Sequence, residues 1–248
     1  MKRAPRILII LLVAILLADV ALAQRPGGPP RRRGGGSGSS AGDLLKPPVP
    51  KDETEKNIYA AIAEMREGPR FANVADTDGR LLRLLAESTG AKCVVEIGTS
   101  TGESATWLAM ALAKTGGHLY THEIDEERAK VAQANFEKAG LADQITIVLG
   151  DAHETVKRYK DSSDELYIDQ KQGEAIDILF LDADKTGYID YLDKLVPLVR
   201  PGGLIIAHNM VLPTPDPDYI EKITESPQFE TLFLLMDGLG IGVTMKKR

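Results

Sequence analysis

Residues Val94 to Gly102, VVEIGTSTG, place an acid and two glycines at the end of an apolar run: Glu96 comes first, and Gly98 and Gly102 follow, separated by three residues. A strand that stops near an acid and turns over glycines into a helix lets backbone approach a nucleotide-like ligand closely, with helix amides and a carboxylate beside it. A second acid, Glu123, closes the next apolar run about twenty residues on, where a strand tip sets a carboxylate against ribose hydroxyls. An ordinary strand-to-helix turn would explain the glycines but not that second acid. Together they point to an adenosyl cofactor. The loop reads E-x-G-x-x-x-G rather than the G-x-G-x-x-G of dinucleotide sites, which favours S-adenosylmethionine over NAD.

Further polar residues close later apolar runs. Ser104 either caps the helix after the glycine loop or donates to the cofactor's carboxylate, and the two roles are compatible. Gly150-Asp151-Ala152 follows the third run, where a carboxylate can accept from an adenine amino group and a small residue admits the ring; a plain turn with a helix cap explains it equally well. Leu181-Asp182-Ala183-Asp184-Lys185 closes the fourth. Asp182 suits a hard cation, and Lys185, if partly buried or beside another cation, suits removal of a proton from a substrate hydroxyl. The bland alternative is a surface ion-pair cluster, but the run before it, Ile176 to Leu181, is apolar enough for a core strand. His208-Asn209 ends the fifth run on the same edge; a lone histidine is commonly structural, while the end of a central strand favours function.

The elements that must hold these residues are strands at Cys93–Ile97, His118–Glu123, Ile145–Leu149, Ile176–Leu181 and Leu204–His208. Helical patterns lie between them at Ser104–Lys114, Glu126–Ala139, His153–Tyr159 and Tyr188–Val199, the last stopped by Arg200-Pro201-Gly202-Gly203. Two earlier helices are expected at Glu53–Arg66 and Gly79–Glu87. Such alternation predicts an α/β fold with a doubly wound, mostly parallel sheet. The end breaks the pattern: Phe229–Met236 and Gly240–Met245, joined by Asp237-Gly238-Leu239, predict a closing antiparallel hairpin. The polar segment Lys160–Gly173 reads as a surface loop, and Val211–Tyr219 matches no pattern.

The chain has 248 residues, and its first fifty hold eight Lys/Arg against two acids, leaving 22 basic and 34 acidic residues from Lys51 onward. A domain with that net charge of −12 repels phosphate backbones, which argues against nucleic acid. Lys2, Arg3 and Arg6, the apolar run Ile7–Leu17 and Ala21-Leu22-Ala23 have the order of an export signal cleaved after Ala23. The alternative is an uncleaved anchor that keeps the domain on the cytoplasmic side, since Arg25 and Arg31 to Arg33 follow. Gln24–Pro50, rich in Pro, Gly, Arg and Ser, reads as a tether to a folded domain over 51–248. The one cysteine, Cys93, excludes an intrachain disulfide and reads as core packing.

From about Val74 to Val243 the chain resembles the class I S-adenosylmethionine-dependent O-methyltransferases of the catechol and caffeoyl-CoA type. VVEIGTSTGESATWLA is similar to that family's first cofactor motif, THEIDEERAKVAQANFEKAGLADQI to its second-strand and helix segment, FLDADKTGYIDYLDKLVPLVRPGG to its fourth-strand motif and DGLGIGV to its closing hairpin. The resemblance implies a Rossmann-like methyltransferase sheet and a cofactor pocket lined by Val74, Glu96, Gly98, Gly102, Ser104, Glu123, Asp151, Ala152 and Asp182. It implies a divalent metal on Asp182, and Lys185 as general base. The family's other metal ligands are an Asp-Asn pair after the fifth strand, where this chain has His208-Asn209. Imidazole in place of carboxylate turns the preference from magnesium to a softer transition metal or to no metal, or leaves His208 free to serve as the base. The expected partners are a small-molecule hydroxyl acceptor, a second copy of the chain in a homodimer, and a membrane through the N-terminal segment. Two rivals remain at this point: a non-catalytic ligand-binding domain of the same fold, and a nicotinamide-dependent oxidoreductase.

Overall fold

The computed structural model describes residues 46–68, 73–235 and 238–248. The expected export segment, all but the last few residues of the tether, and Met236 and Asp237 of the expected hairpin lie outside them. Among the described residues no helix is long and apolar enough to cross a membrane.

Two helices precede the sheet: α1, Glu53–Glu67, capped by Asp52 accepting from the Glu55 amide, and α2, Asp76–Ser88. Then strands and helices alternate as β1 Cys93–Ile97, α3 Glu103–Thr115, β2 His118–Glu123, α4 Glu126–Ala139, β3 Ile145–Leu149, α5 Ala152–Thr155, β4 Ile176–Leu181, α6 Tyr188–Leu195 and β5 Val199–His208. The chain closes with α7 Pro217–Glu225, β6 Phe229–Leu234 and β7 Ile241–Lys246. The sheet order is β3-β2-β1-β4-β5-β7-β6. Pairing is parallel from β3 through β5, and β7 runs antiparallel between β5 and β6. This is the expected doubly wound sheet with its hairpin, and its order reverses between β1 and β4, where such sheets open a ligand crevice.

Side chains alternate across the strands, so each strand feeds two cores. Val94, Leu119, Ile178, Phe180 and Ile206 pack under α1 to α4. Val95, Ile97, Leu179, Leu181, Ile205 and Ala207 pack against the opposite layer, which includes α6 and α7. In the first core Trp107 of α3 is 1% exposed and lies on α2 where Gly79 leaves room; a Cβ on Gly79 would come within 2.2 Å of the indole.

Several boundaries differ from the sequence reading. β5 begins at Val199 rather than Leu204, because Arg200-Pro201-Gly202-Gly203 forms an irregular stretch of strand where the β4 register shifts between Ile176 and Ile178, not a turn. The expected helix His153–Tyr159 is one α-turn, α5, continued as a tighter 3₁₀ turn over Val156–Lys160. Helix α7, which the sequence did not disclose, is capped by Asp216, whose carboxylate accepts from the Asp218 and Tyr219 amides. Within the expected surface loop, Leu166 and Ile168 are buried and anchor the segment to the core.

Candidate active site

Strand register aligns the chemistry-bearing residues. Ile97 pairs with His122 and with Leu181, Leu181 pairs with Ala207, and Glu123 pairs with Leu149. One residue further on, Glu123, Gly98, Asp182 and His208 therefore stand in a single row across the carboxyl ends of β2, β1, β4 and β5. A crevice of 690 Å³ opens beside this row, a size that suits a nucleoside-sized ligand with room beside it. Of the expected site residues, Gly98, Glu123, Asp151, Ala152, Asp182, Lys185 and Asn209 line it.

Gly98 has φ +103°, and a Cβ there would come within 2.4 Å of the Asp182 carbonyl oxygen. The glycine is what lets the ends of β1 and β4 close together. Beyond it Ser100, a non-glycine residue at φ +52°, donates its amide to Glu123 Oε2 at 2.7 Å. Glu123 Oε1 accepts from the Asp125 amide at 2.9 Å, so the carboxylate is aimed by two backbone donors and keeps lone pairs for a ligand. The buried Ser100 hydroxyl has no partner among the described residues, and Ser100 lines the crevice. An orphaned buried hydroxyl beside a fixed carboxylate fits a polar, hydroxyl-bearing ligand such as an adenosyl group. Asp151 caps α5 through the His153 amide at 2.9 Å.

Four expected pocket residues face elsewhere. Glu96 lies on the α1–α4 side of the sheet by strand alternation and is 0% exposed, with its oxygens accepting from the hydroxyls of Ser104 at 2.5 Å and Thr121 at 2.6 Å. Ser104 is thus neither helix cap nor free donor, since the cap position of α3 is Gly102. Gly102 at φ +86° is required by packing, because a Cβ would strike the Phe136 ring of α4 at 2.4 Å. Val74 is buried in the first core. Sequence spacing gave their strand and loop positions but not the face.

Burial pushes the Glu96 carboxyl up to about 8, with the Ser104 and Thr121 hydrogen bonds opposing it. The folded state therefore favours the protonated acid. This residue's contribution is most favourable at acid pH and is lost as pH rises from the ordinary glutamate value toward about 8. Glu96→Gln, which fixes the neutral form, is expected to melt increasingly above the wild type between pH 5 and pH 9, by a difference on the order of a few kcal/mol in stability. Chemical denaturation at the two pH values measures it; a constant difference would mean that Glu96 keeps its charge in the fold.

At β4 the Lys185 amine donates to Asp182 Oδ1 at 3.1 Å, to the Ala183 carbonyl at 2.9 Å and to the Tyr188 hydroxyl at 2.8 Å. Tyr188 in turn donates to the Leu181 carbonyl at 2.8 Å, which ties the amine to the strand end. The other Asp182 oxygen, Oδ2, lies 3.2 Å from His208 Nδ1, and His208 Nε2 lies 3.0 Å from Asp78 Oδ2. Asp78, on α2 and 0% exposed, escaped the sequence reading because it fell just outside the expected helix, with no motif to mark it. The turn of the closing hairpin comes down on the pair: a Cβ on Gly238 would lie 2.1 Å from Asp78 Oδ2.

A ring nitrogen that presents a lone pair to a carboxylate is repelled by it, so the two-sided clasp calls for a proton on each nitrogen. Burial works against the charge, but the hydrogen bonds to Asp182 and Asp78 outweigh it and hold the His208 pKa up at about 9. With one ring nitrogen on Asp182 and the other on Asp78, His208 presents no free nitrogen to a metal or a substrate in this arrangement, and it does not line the crevice. Among the described residues no three His, Cys, Asp or Glu side chains are gathered so as to hold a metal ion.

The outer wall holds a group that the sequence did not bring together. Tyr191 stacks on His153 with ring centroids 4.5 Å apart and donates to Asp184 Oδ1 at 2.8 Å, while His153 Nδ1 meets Asp190 at 2.5 Å. The hydrogen bond to Asp190, opposed by partial burial and aided by Asp184, raises the His153 pKa.

The O-methyltransferase family profile matches residues 54–215. The chain is 37% identical over 155 residues to a catechol O-methyltransferase of Niastella koreensis, covering 62% of this chain and 66% of that one. It is 34% identical over 151 residues to a catechol O-methyltransferase of Mycobacterium tuberculosis, covering 61% and 62% respectively. The matches thus span just under two thirds of those relatives' length. Among solved structures, the O-methyltransferase from Bacillus cereus in complex with SAH superposes with a TM-score of 0.64 at 28% identity, covering 80% of this chain and 93% of that one.

Proposed function

Because the chain belongs to the O-methyltransferase family, we propose that it transfers a methyl group from S-adenosylmethionine to a hydroxyl oxygen of a small, catechol-like acceptor. The observation that carries this reading is the row of Glu123, Gly98 and Asp182 along one rim of the sheet, beside one crevice. In this reading Glu123 and Ser100, which line the crevice, hold ribose hydroxyls, and Asp151 and Ala152 border the adenine. S-adenosylmethionine supplies the electrophilic methyl group. The protein's part is to hold the acceptor oxygen in line and take its proton, and ordering of this kind accounts for much of the acceleration in such displacements. We assign the proton to Lys185, whose ammonium, fixed by the 3.1 Å hydrogen bond to Asp182 Oδ1, passes its own proton to solvent before it takes that of the acceptor.

Glu123→Ala is expected to raise the KM for the methyl donor roughly 10- to 100-fold with kcat within about threefold, because charge-assisted hydrogen bonds to ribose act in ground and transition states alike. A fall in kcat at unchanged KM would place Glu123 in the chemical step instead.

Calorimetric titration with S-adenosylmethionine, followed by mass-spectrometric detection of methylated product from a panel of catechols and other phenols, tests the function. Donor binding with no methylated product from any acceptor would favour a non-catalytic ligand-binding domain. The proposal extends to an export signal cleaved after Ala23, read by N-terminal sequencing of the mature protein, and to a homodimer, read by light scattering; an intact Met1 would favour the anchor.

A further inference from the structure

We propose that this chain needs no divalent metal, because His208, clasped between Asp78 and Asp182, already fills the place of one. The inference rests on the methyl-transfer reading above. Asp182 is an almost buried carboxylate, with its side chain 13% exposed, and such a charge must be met by a cation or abandon its ionised form. It is met twice within the protein, by Lys185 at Oδ1 and by His208 at Oδ2.

The position after β5 where the resemblance calls for a metal-binding carboxylate is occupied by His208, whose second nitrogen is held by Asp78. That link joins α2 to the sheet across 130 positions of sequence and is roofed by Gly238. Opening a metal site would require the ring to leave both carboxylates at once. Asn209, at φ +63°, is the remaining candidate ligand, and with Asp182 it makes only two. Acidic and basic side chains alternate along the row as Asp78, His208, Asp182 and Lys185, so each oxygen of Asp182 already faces a basic group. A dication added there would have to displace two protein cations from their acceptors.

The full-length protein is assayed for Mn²⁺ binding by the loss of free-ion electron paramagnetic resonance signal, with and without S-adenosylmethionine, and for methyl transfer in EDTA and in Mg²⁺. The wild type is expected to show no saturable Mn²⁺ binding at millimolar metal and turnover within about twofold in the two buffers. His208→Asp, which recreates the Asp-Asn pair, is expected to bind Mn²⁺ and to lose at least about tenfold of its turnover in EDTA. One Mn²⁺ per wild-type chain, or wild-type turnover abolished by EDTA and restored by Mg²⁺, would overturn the proposal. The wild-type metal measurement stands even if His208→Asp does not fold. It also stands if calorimetry finds no donor binding, which would sink the methyl-transfer reading alone.

Discussion

Asp182→Ala is expected to lower kcat/KM for methyl transfer by about 10³-fold or more, roughly 4 kcal/mol of transition-state stabilisation. Among the described residues Asp182 is the one acid paired with both His208 and Lys185, so its removal leaves those two groups facing each other without an intervening anion. Breaking a buried charge network by deleting one member typically costs about 3–5 kcal/mol of stability. Loss of activity must therefore be read beside a melting curve. Asp182→Asn keeps the shape and removes the charge; it is expected to fold and to remain impaired by a similar factor. Normal turnover in folded Asp182→Ala protein would refute the placing of the reaction at this rim.

Gly98→Ala is expected to be the most damaging single-methyl change in the site. The Cβ would sit 2.4 Å from the Asp182 carbonyl oxygen, and that neighbour is backbone in a central strand exit, which cannot swing aside. Strain at φ +103° and overpacking each cost about 1–3 kcal/mol, so a combined loss of about 2–6 kcal/mol follows, with a fall in melting temperature on the order of 10 °C. Gly90→Ala separates the two causes. Gly90 also has positive φ, +65°, but a Cβ there meets nothing within 4 Å, so it reports strain without collision. If both variants melted alike, close approach of β1 and β4 would not be the reason for a glycine at position 98.

Sequence spacing by itself determined the skeleton of this protein. Four of the five parallel strands begin and end where the sequence spacing predicts, because strand-length runs rich in apolar residues are bounded by turn chemistry. The acids and glycine at the strand exits are equally local facts, and Glu123, Gly98, Asp182 and Lys185 came with them. Direction was not local. Glu96 and Glu123 both occupy strand positions by sequence, yet one lies under α3 bonded to Ser104 and the other stands at the strand tip bordering the crevice.

Partnership across the chain was the other thing that only tertiary structure decided. Nothing near Asp78 marks it, and nothing near His208 says that it faces two carboxylates; the sheet order and the seating of α2 bring them together. The irregular start of β5 and helix α7 were missed for a related reason, since a Pro-Gly-Gly sequence reads as a turn until a neighbouring strand shifts register beside it. Local sequence fixes which groups a strand delivers to the rim, because periodicity and turn chemistry act over a few residues. Which of those groups meet is set by contacts between residues far apart in the chain, and here such contacts bring Asp78, His208 and Asp182 together.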